Sequence, residues 1–144
     1  MYAMTEEHPM DPVIHFELPY VDAARVAAFY QRAFGWHTEA PGDAMNGYVL
    51  ATTADSDEEG PRKPGAINGG FFEKNADWPA QFPSVVIAVQ DVERAMVQVR
   101  QAGGQVLGEP MQIPGVGRYV SFIDTEGNRG SMLQQAPRAG QGPA

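Results

Sequence analysis

The sequence contains an internal repeat whose two copies are separated by a constant offset of 69 positions. One apolar run ends at Asp22, a second one ends at Asp91, and the same offset takes Gly35 to Gly104. The runs have the composition of strands, an Asp in this position can cap a helix, and the later Gly can end it. Because one shift without a gap superposes a strand, a cap, a helix and a helix end, the sequence predicts a duplicated β-α unit.

The spacing of apolar residues predicts one helix over about 22–34 and another over about 91–102. Residues at positions i, i+3, i+4, i+7 and i+8 share one face of a helix, and we expect that face to be buried. In the first helix these residues are Val26, Phe29, Tyr30, Ala33 and Phe34. In the second helix they are Val92, Ala95, Met96, Val99 and Ala102.

Three further strands are predicted after each helix, separated by turn-rich segments. In the first half they lie near residues 36–39, 47–52 and 66–72, and in the second half near residues 105–108, 118–123 and 130–134. Each half therefore has the predicted order β-α-β-β-β. The charged segment 55–63 (DSDEEGPRK) is expected to be a mobile excursion at the surface.

The length and composition favour a single globular domain. With 144 residues, of which 43% are hydrophobic, the chain can bury one ordinary core. We expect this domain to cover residues 11–135, with one module over about 11–73 and the other over about 82–135. The polar ends, 1–10 and 136–144, have too few apolar residues to pack and are predicted to be flexible tails.

The charge and the absence of cysteine exclude several classes of function. The formal net charge is −8 and the basic residues are scattered, which disfavours nucleic acids and anionic membrane surfaces as partners. The sequence has no cysteine for a disulfide, a thiolate nucleophile or a zinc site, and no apolar run of the roughly 18–20 residues that a membrane span needs. Residues 1–10 lack the basic-then-apolar order of a secretory signal, so a cytoplasmic location is predicted.

Three motifs resemble a known protein family. They are AAFYQRAFGW at Ala27–Trp36, DVERAMVQVRQAGG at Asp91–Gly104 and IPGVGRYVSFIDTEGN at Ile113–Asn128. Together with the offset of 69 positions they resemble the vicinal oxygen chelate superfamily, which covers glyoxalase I, bleomycin-resistance proteins and extradiol dioxygenases. The resemblance implies an α+β fold of two tandem βαβββ modules that form a cupped, mixed eight-stranded sheet. It implies helices on the convex face, a ligand cavity on the concave face, and a homodimer.

The metal site that the resemblance implies does not match the residues of this chain. In the enzymes of the family, a divalent metal takes ligands from the first and fourth strands of each module. The matching positions here are His15, Ser84, a residue from Asn68 to Gly70, and Ser131. Only His15 is an ordinary ligand, whereas catalytic zinc takes three protein donors and non-haem iron takes two imidazoles and a carboxylate. We therefore expect no metal cofactor; zinc, nickel or iron stays an alternative that needs an atypical donor set.

Glu17 adds a second titratable group beside His15. Side chains two positions apart on a strand share a face, so both are predicted to point into the cavity. They could belong to a displaced metal site, form a proton-transfer pair, or be a hydrogen-bonded pair lining a wet pocket, and we favour the last. Arg118, next to the glycine-rich loop, is the candidate partner for the Glu17 carboxylate. The candidate ligand-binding residues are therefore His15, Glu17, Ser84, Ser131, Asn68 and Arg118.

Three functions remain open at this point. The favoured one is a metal-free binding module that holds a small organic molecule in the concave cavity. The alternative is a lyase, isomerase or dioxygenase-like enzyme that uses an atypical metal site or acid–base chemistry by His15 and Glu17. The third is a degenerate copy of the fold that associates with a partner protein. One fold of this kind carries many activities, so the resemblance alone does not choose among them.

Overall fold

A computed structural model describes residues 10–40 and 47–137. Within these ranges the chain forms two α-helices and ten β-strands. In chain order they are β1 Val13–Tyr20, α1 Ala23–Phe34, β2 His37–Glu39, β3 Val49–Thr52, β4 Ser56–Asp57, β5 Gly60–Pro61, β6 Asn68–Glu73, β7 Ser84–Ala88, α2 Val92–Gln101, β8 Gln105–Ile113, β9 Gly117–Ile123 and β10 Arg129–Gln135.

Eight of these strands form one mixed sheet in the order β2-β3-β6-β1-β7-β10-β9-β8. The first strands of the two modules, β1 and β7, pair antiparallel at the centre. Each of them also pairs parallel with the last strand of its own module, β1 with β6 and β7 with β10. The predicted α+β fold of two βαβββ modules is therefore confirmed, and β4 with β5 forms a separate hairpin.

The predicted caps start both helices. The Asp22 carboxylate accepts a hydrogen bond from the Arg25 amide at 3.0 Å, and Gly35 ends α1 with a positive φ of 74°. The Asp91 carboxylate accepts from the amides of Glu93 and Arg94 at 3.0 and 3.2 Å. These bonds satisfy amides that have no partner inside the helix, which is why an Asp is favoured there.

Both helices pack on the same face of the sheet. Val92, Ala95 and Met96 of α2 are buried against Val120 and Met132. In the other module, α1 packs against an aromatic cluster in which Phe71 is fully buried. The rings of Tyr30 and Trp36 stack there, with their centres 4.6 Å apart. No helix in the described ranges is long and apolar enough to cross a membrane.

The buried face predicted for α1 is partly wrong. Val26 and Tyr30 pack on the aromatic cluster, but Phe29 and Phe34 are 56% and 64% exposed. The side of α1 that meets the sheet is made by Ala23, Val26 and Tyr30, and the stacked Trp36 fills the space beneath the end of the helix. The helix is thus rotated so that part of its apolar stripe faces outward.

The structure adds detail to two other expectations. Segment 55–63, expected to be a mobile excursion at the surface, contains the β4–β5 hairpin, in which Arg62 forms ion pairs with Asp55 and Asp57. Its mobility stays a prediction. Strand β8 extends to Ile113 instead of ending near Gly108, with an irregular register between Leu107 and Met111. Of the predicted tails, residues 1–9 and 138–144 lie outside the described residues.

We predict that Tyr30→Ala weakens the attachment of α1 far more than Phe29→Ala. Tyr30 stacks on Trp36 and contacts Phe71, so its loss should lower the free energy of unfolding by about 3 kcal/mol. Because the neighbouring Phe29 is largely exposed, Phe29→Ala should lower the free energy of unfolding by less than about 1 kcal/mol. Urea unfolding followed by circular dichroism measures both values. Equal losses would contradict the orientation of α1 described above.

Candidate functional site

Polar side chains collect on the face of the sheet opposite the helices, which we call the helix-free face. Alternation along β1 turns Phe16 and Leu18 toward α1 and leaves His15 and Glu17 on the helix-free face. The register with β7 places Ser84 beside Glu17 on this face. Glu17 is buried, with only 6% of its surface exposed.

The Glu17 carboxylate is joined to the second module by a direct hydrogen bond. The Tyr119 hydroxyl donates to Glu17 Oε1 at 2.7 Å. Strands β1 and β9 are three steps apart in the sheet, which is about 14 Å if the sheet is flat. A Tyr and a Glu side chain meet across that distance only where the sheet curves toward them. The contact therefore supports the cupped shape expected from the sequence.

A chain of hydroxyl groups continues from Tyr119 to a cation. The Tyr119 hydroxyl lies 2.7 Å from Ser131 Oγ, which lies 2.9 Å from Ser121 Oγ. Arg129 then donates from its guanidinium to Ser121 Oγ at 3.4 Å. The antiparallel pairing of Ser131 with Ser121 across β10 and β9 brings the two serine hydroxyls together.

When Glu17 is ionised, every hydroxyl in this hydrogen-bonded series donates in one fixed direction. A carboxylate only accepts hydrogen bonds, so Tyr119 must donate to Glu17 and therefore accepts from Ser131. Ser131 then accepts from Ser121, whose oxygen accepts from Arg129, a group that only donates. The chain is therefore polarised from the guanidinium to the carboxylate, an arrangement in which successive hydrogen bonds strengthen one another.

Burial controls the protonation of the groups in this network. Desolvation raises the pKa of Glu17, while hydrogen bonds from Tyr119 and Tyr48 and the positive charge of Arg129 oppose the rise. Burial and the nearby Glu17 charge raise the pKa of both tyrosines well above its usual range. The tyrosines are therefore neutral donors at physiological pH. Glu17 is a carboxylic acid whose proton is held more tightly than usual.

His15 and Ser84 offer polar atoms that the described residues do not use. His15 contacts Phe16 through its ring and forms no hydrogen bond within the described part of the chain, and Ser84 likewise forms none through its hydroxyl. Burial lowers the pKa of His15, so its imidazole is neutral at pH 7. Both residues are partly exposed and adjoin the buried Glu17 on β1 and β7. The proposed hydrogen-bonded pair of His15 and Glu17 is not formed.

Two layers make up the site, and its centre is filled by the chain's own side chains. Partly exposed residues form the outer layer: His15, Tyr48, Ser84, Tyr119 and Arg129. Glu17, Ser121 and Ser131 lie beneath them and are almost fully buried. Open hollows of about 530 and 380 Å³ lie beside α1, on the other side of the sheet.

Gly69 and Gly70 make room for one ring on each face of the sheet. A Cβ atom on Gly70 would lie 2.1 Å from the Tyr48 ring, which covers this strand next to Glu17. A Cβ atom on Gly69 would lie 2.5 Å from the ring of Phe16, on the side of the helices. The room left by these two glycines is therefore filled by aromatic rings, Tyr48 on one face and Phe16 on the other.

A closed loop between the modules holds Arg129 from above. The Arg129 guanidinium donates to the Pro79 carbonyl at 3.1 Å and lies 5.4 Å from the centre of the Trp78 ring. The side chain of Gln81 closes this loop. Its amide oxygen accepts from the Asn75 backbone N–H, and its amide nitrogen donates to the carbonyls of Asn75 and Trp78. The loop closed by Gln81 therefore places the Trp78 ring directly over the cation.

Arg118 is not the partner of Glu17. It lies one position before Tyr119 on β9 and so points to the opposite face, where it pairs with Glu93 of α2. Arg129 supplies the positive charge near Glu17 instead. The Asn68 side-chain amide accepts from the Thr53 backbone amide and donates to Ser56, and its role in ligand binding stays a prediction.

The donors on this face do not fit the metal of the family. In the described residues, no group of three or more His, Cys, Asp or Glu side chains is placed to hold a metal ion. At the positions that match the family's ligands, His15 is an imidazole, Ser84 and Ser131 are hydroxyls, and the Asn68 amide is already bonded. A divalent ion in a buried site needs several imidazole or anionic donors, which this set does not supply.

Sequence reasoning missed Tyr48, Tyr119, Ser121 and Arg129. The alternation rule that groups His15 with Glu17 would also have grouped Tyr119 with Ser121 on β9, and Arg129 with Ser131 on β10. Which face each pair occupies depends on the register between distant strands, and that register has no local signal in the sequence.

Comparison with known proteins decides the family. Residues 13–130 match the model of the Glyoxalase/Bleomycin resistance protein/Dioxygenase superfamily. The chain belongs to this superfamily. The match covers nearly all of the strands described above, from β1 into β10.

Curated relatives within the superfamily are longer proteins. The chain is 31% identical over 115 residues to "Putative glyoxylase CFP32" of Mycobacterium tuberculosis, which covers 77% of this chain and 39% of that protein. It is 30% identical over 125 residues to "Anthracycline biosynthesis protein DnrV" of Streptomyces peucetius, covering 78% of this chain and 42% of that protein. The chain thus spans about two fifths of the length of these relatives.

Solved structures of the superfamily share the fold at low sequence identity. A methylmalonyl-CoA epimerase structure superposes with a TM-score of 0.65 at 17% identity, over 90% of this chain and 99% of that one. The Streptomyces coelicolor methylmalonyl-CoA epimerase in complex with 2-nitronate-propionyl-CoA gives a TM-score of 0.62 at 19% identity, over 94% and 100%. These likenesses establish the α+β architecture and carry no residue roles.

We predict that Gly70→Ala displaces the Tyr48 ring and destabilises the protein. The added methyl group overlaps that ring, and overpacking of this kind costs about 1–3 kcal/mol. If Tyr48 is the obstacle, the double variant with Tyr48→Ala should lose less than the sum of the single variants, by at least about 0.5 kcal/mol. Urea unfolding of all four proteins measures this coupling. Additive losses would show that the ring does not occupy the space above Gly70.

Proposed function

We propose that the helix-free face binds a small organic molecule through hydrogen bonds, without a resident metal. The single observation that carries the proposal is the buried Glu17 carboxyl of the first module, which accepts a hydrogen bond from the Tyr119 hydroxyl of the second module. Burying a carboxyl group is costly unless its bonds are satisfied, so a chain does not place one at the centre of a sheet for packing alone.

The outer layer supplies what a ligand of this kind needs. The uncommitted imidazole of His15 and the hydroxyl of Ser84 can donate or accept hydrogen bonds, and the rings of Tyr48 and Tyr119 offer partly exposed apolar surface. A few placed polar groups among apolar surface are typical of small-molecule sites. A relative named for anthracycline biosynthesis is compatible with an organic ligand. The homodimer and the cytoplasmic location expected from the sequence remain predictions.

Acid–base catalysis by His15 and Glu17 is the second candidate. Burial raises the pKa of Glu17 and lowers that of His15, which brings the two values toward each other. Groups shifted in this way can exchange protons with a substrate near neutral pH. This function requires a bound molecule first, so it extends the binding role and does not replace it.

The proposal predicts that ligands found on the wild-type protein depend on Glu17 and Tyr119. Protein purified without a histidine tag is screened for thermal stabilisation by small alcohols, ketones, amides and carboxylic acids, because a ligand that binds only the folded state raises the melting temperature. For each compound that stabilises it, Glu17→Gln and Tyr119→Phe should each weaken binding about tenfold, because each variant disrupts the Tyr119–Glu17 hydrogen bond that holds the outer layer in place. Titration calorimetry measures the dissociation constants.

Two matched variants control this experiment. Tyr20→Phe removes a hydroxyl that bonds the Gly47 carbonyl on the helix side, and Glu109→Gln removes an exposed charge. Both variants should bind each compound with the dissociation constant of wild type, and a chelator should leave that constant unchanged. Near-stoichiometric zinc, nickel or iron that disappears in His15→Ala would contradict the proposal. Product formation from a bound compound, lost in His15→Gln with binding retained, would establish the catalytic candidate.

A further inference from the structure

Arg129 is held in place on the helix-free face without an acidic partner among the described residues. Within the described ranges its guanidinium bonds only two neutral oxygens, the Pro79 carbonyl and Ser121 Oγ, and its face lies over Trp78. An arginine has five N–H donors, so three of them have no acceptor in the described residues. The cation is thus oriented by its surroundings but not neutralised by an adjacent carboxylate.

Two other arginines among the described residues have acidic partners, whereas Arg25, Arg32, Arg94 and Arg100 are exposed and form no ion pair with a described residue. Arg62 is bonded to two aspartates of the β4–β5 hairpin, and Arg118 is bonded to Glu93. The chain contains eighteen acidic residues against ten basic ones, so acidic partners are abundant. The partly buried Arg129 nevertheless faces hydroxyl and carbonyl groups, in the one network that leads to Glu17.

We propose that Arg129 binds a carboxylate group, so that the molecule held on the helix-free face is a small organic acid. The inference rests on the proposed function and names the chemical class of its ligand. A guanidinium presents a planar fork of donors that matches a carboxylate through two parallel hydrogen bonds. Trp78, which is 48% exposed, offers apolar surface beside that fork for the body of the acid.

The present contacts of Arg129 can yield to such a ligand. The bond to Ser121 Oγ, at 3.4 Å, is the longest in the hydroxyl chain, and bonds of this length are weak. A carboxylate oxygen is a stronger acceptor for a cationic donor than a serine oxygen. A more highly charged oxyanion such as phosphate is disfavoured, because the net charge is −8 and the Glu17 carboxyl lies at the other end of the same network.

The test compares acids with their neutral amides on four proteins. Acetate, benzoate and 1-naphthoate, each with the matching amide, are titrated calorimetrically into wild type, Arg129→Gln, Arg129→Lys and Arg118→Gln. On wild type at least one acid should bind tenfold or more tightly than its amide. Arg129→Gln should abolish that difference, and Arg118→Gln should preserve it because Arg118 lies on the other face. Arg129→Lys, which keeps the charge without the fork, should retain part of the difference.

Each other outcome overturns the inference in a recognisable way. If the acids bind no more tightly than the amides while Glu17→Gln still weakens binding, the carboxylate assignment fails and the proposed function stands. If neither acids nor amides bind, both fail. Equal losses in Arg129→Gln and Arg118→Gln, or tighter binding of phenyl phosphate than of benzoate, would also reject Arg129 as a carboxylate site. Near-ultraviolet circular dichroism, to which the loop residue Trp78 contributes together with Trp36, checks that the Arg129 variants keep the wild-type packing.

Discussion

The structure of the helix-free face depends on the burial of one carboxyl group, that of Glu17. A carboxylate removed from water needs compensating bonds, and Glu17 forms no ion pair with any described residue. Its compensation comes from the Tyr119 hydroxyl of the second module, and the nearby Tyr48 hydroxyl and Arg129 charge also hold down the pKa of Glu17. The network therefore joins the two halves of the duplicated fold across its curved centre. Gly70 is a consequence of the same constraint, since only a glycine there leaves room for the Tyr48 ring.

The resemblance to the superfamily implies a metal site on this face, where the described residues offer mainly hydroxyl groups. At the positions that the resemblance matches to metal ligands, the chain has His15, Ser84 and Ser131. Ser131 is bonded to Tyr119 and Ser121, and thereby belongs to a network that positions hydrogen-bond donors. Because one architecture supports many chemistries, the ligand has to be argued from this site and not from the fold. The site points to recognition by hydrogen bonds and by one oriented cation.

The order of elements could be predicted from the sequence because its signals are local. The capping Asp22 and Asp91 and the helix-ending Gly35 each act on residues a few positions away. The offset of 69 positions can be read directly from the sequence. The grouping of His15 with Glu17 on one face also follows from local alternation along a strand. These features were sufficient for the architecture and for the centre of the site.

The rest of the site depends on contacts between residues far apart in the chain. Glu17 and Tyr119 are 102 positions apart, and only the curvature and register of the sheet bring them together. The sequence predicts Arg118 as the cation near the site. A shift of one residue along a strand moves a side chain to the opposite face of the sheet, so Arg118 contacts α2 instead. Arg129 takes that place through a loop whose closure by Gln81 has no signature in the sequence. The rotation of α1 was missed for a similar reason, since an apolar stripe does not tell which part of it meets the sheet.

The most direct test of this account is the titration of the Glu17 carboxyl carbon by NMR, in wild type and in Tyr119→Phe and Arg129→Gln. The account predicts a pKa above the ordinary value of 4.5 in wild type, and a higher one in each variant, because each removes a group that favours the ionised form. Since the folded state then binds the proton more tightly than the unfolded state, this residue's contribution to stability falls as the pH rises from 4.5 through the folded pKa. A Glu17 that titrates at its ordinary value, or whose pKa does not rise in either variant, would contradict the polarised network on which the proposed site rests.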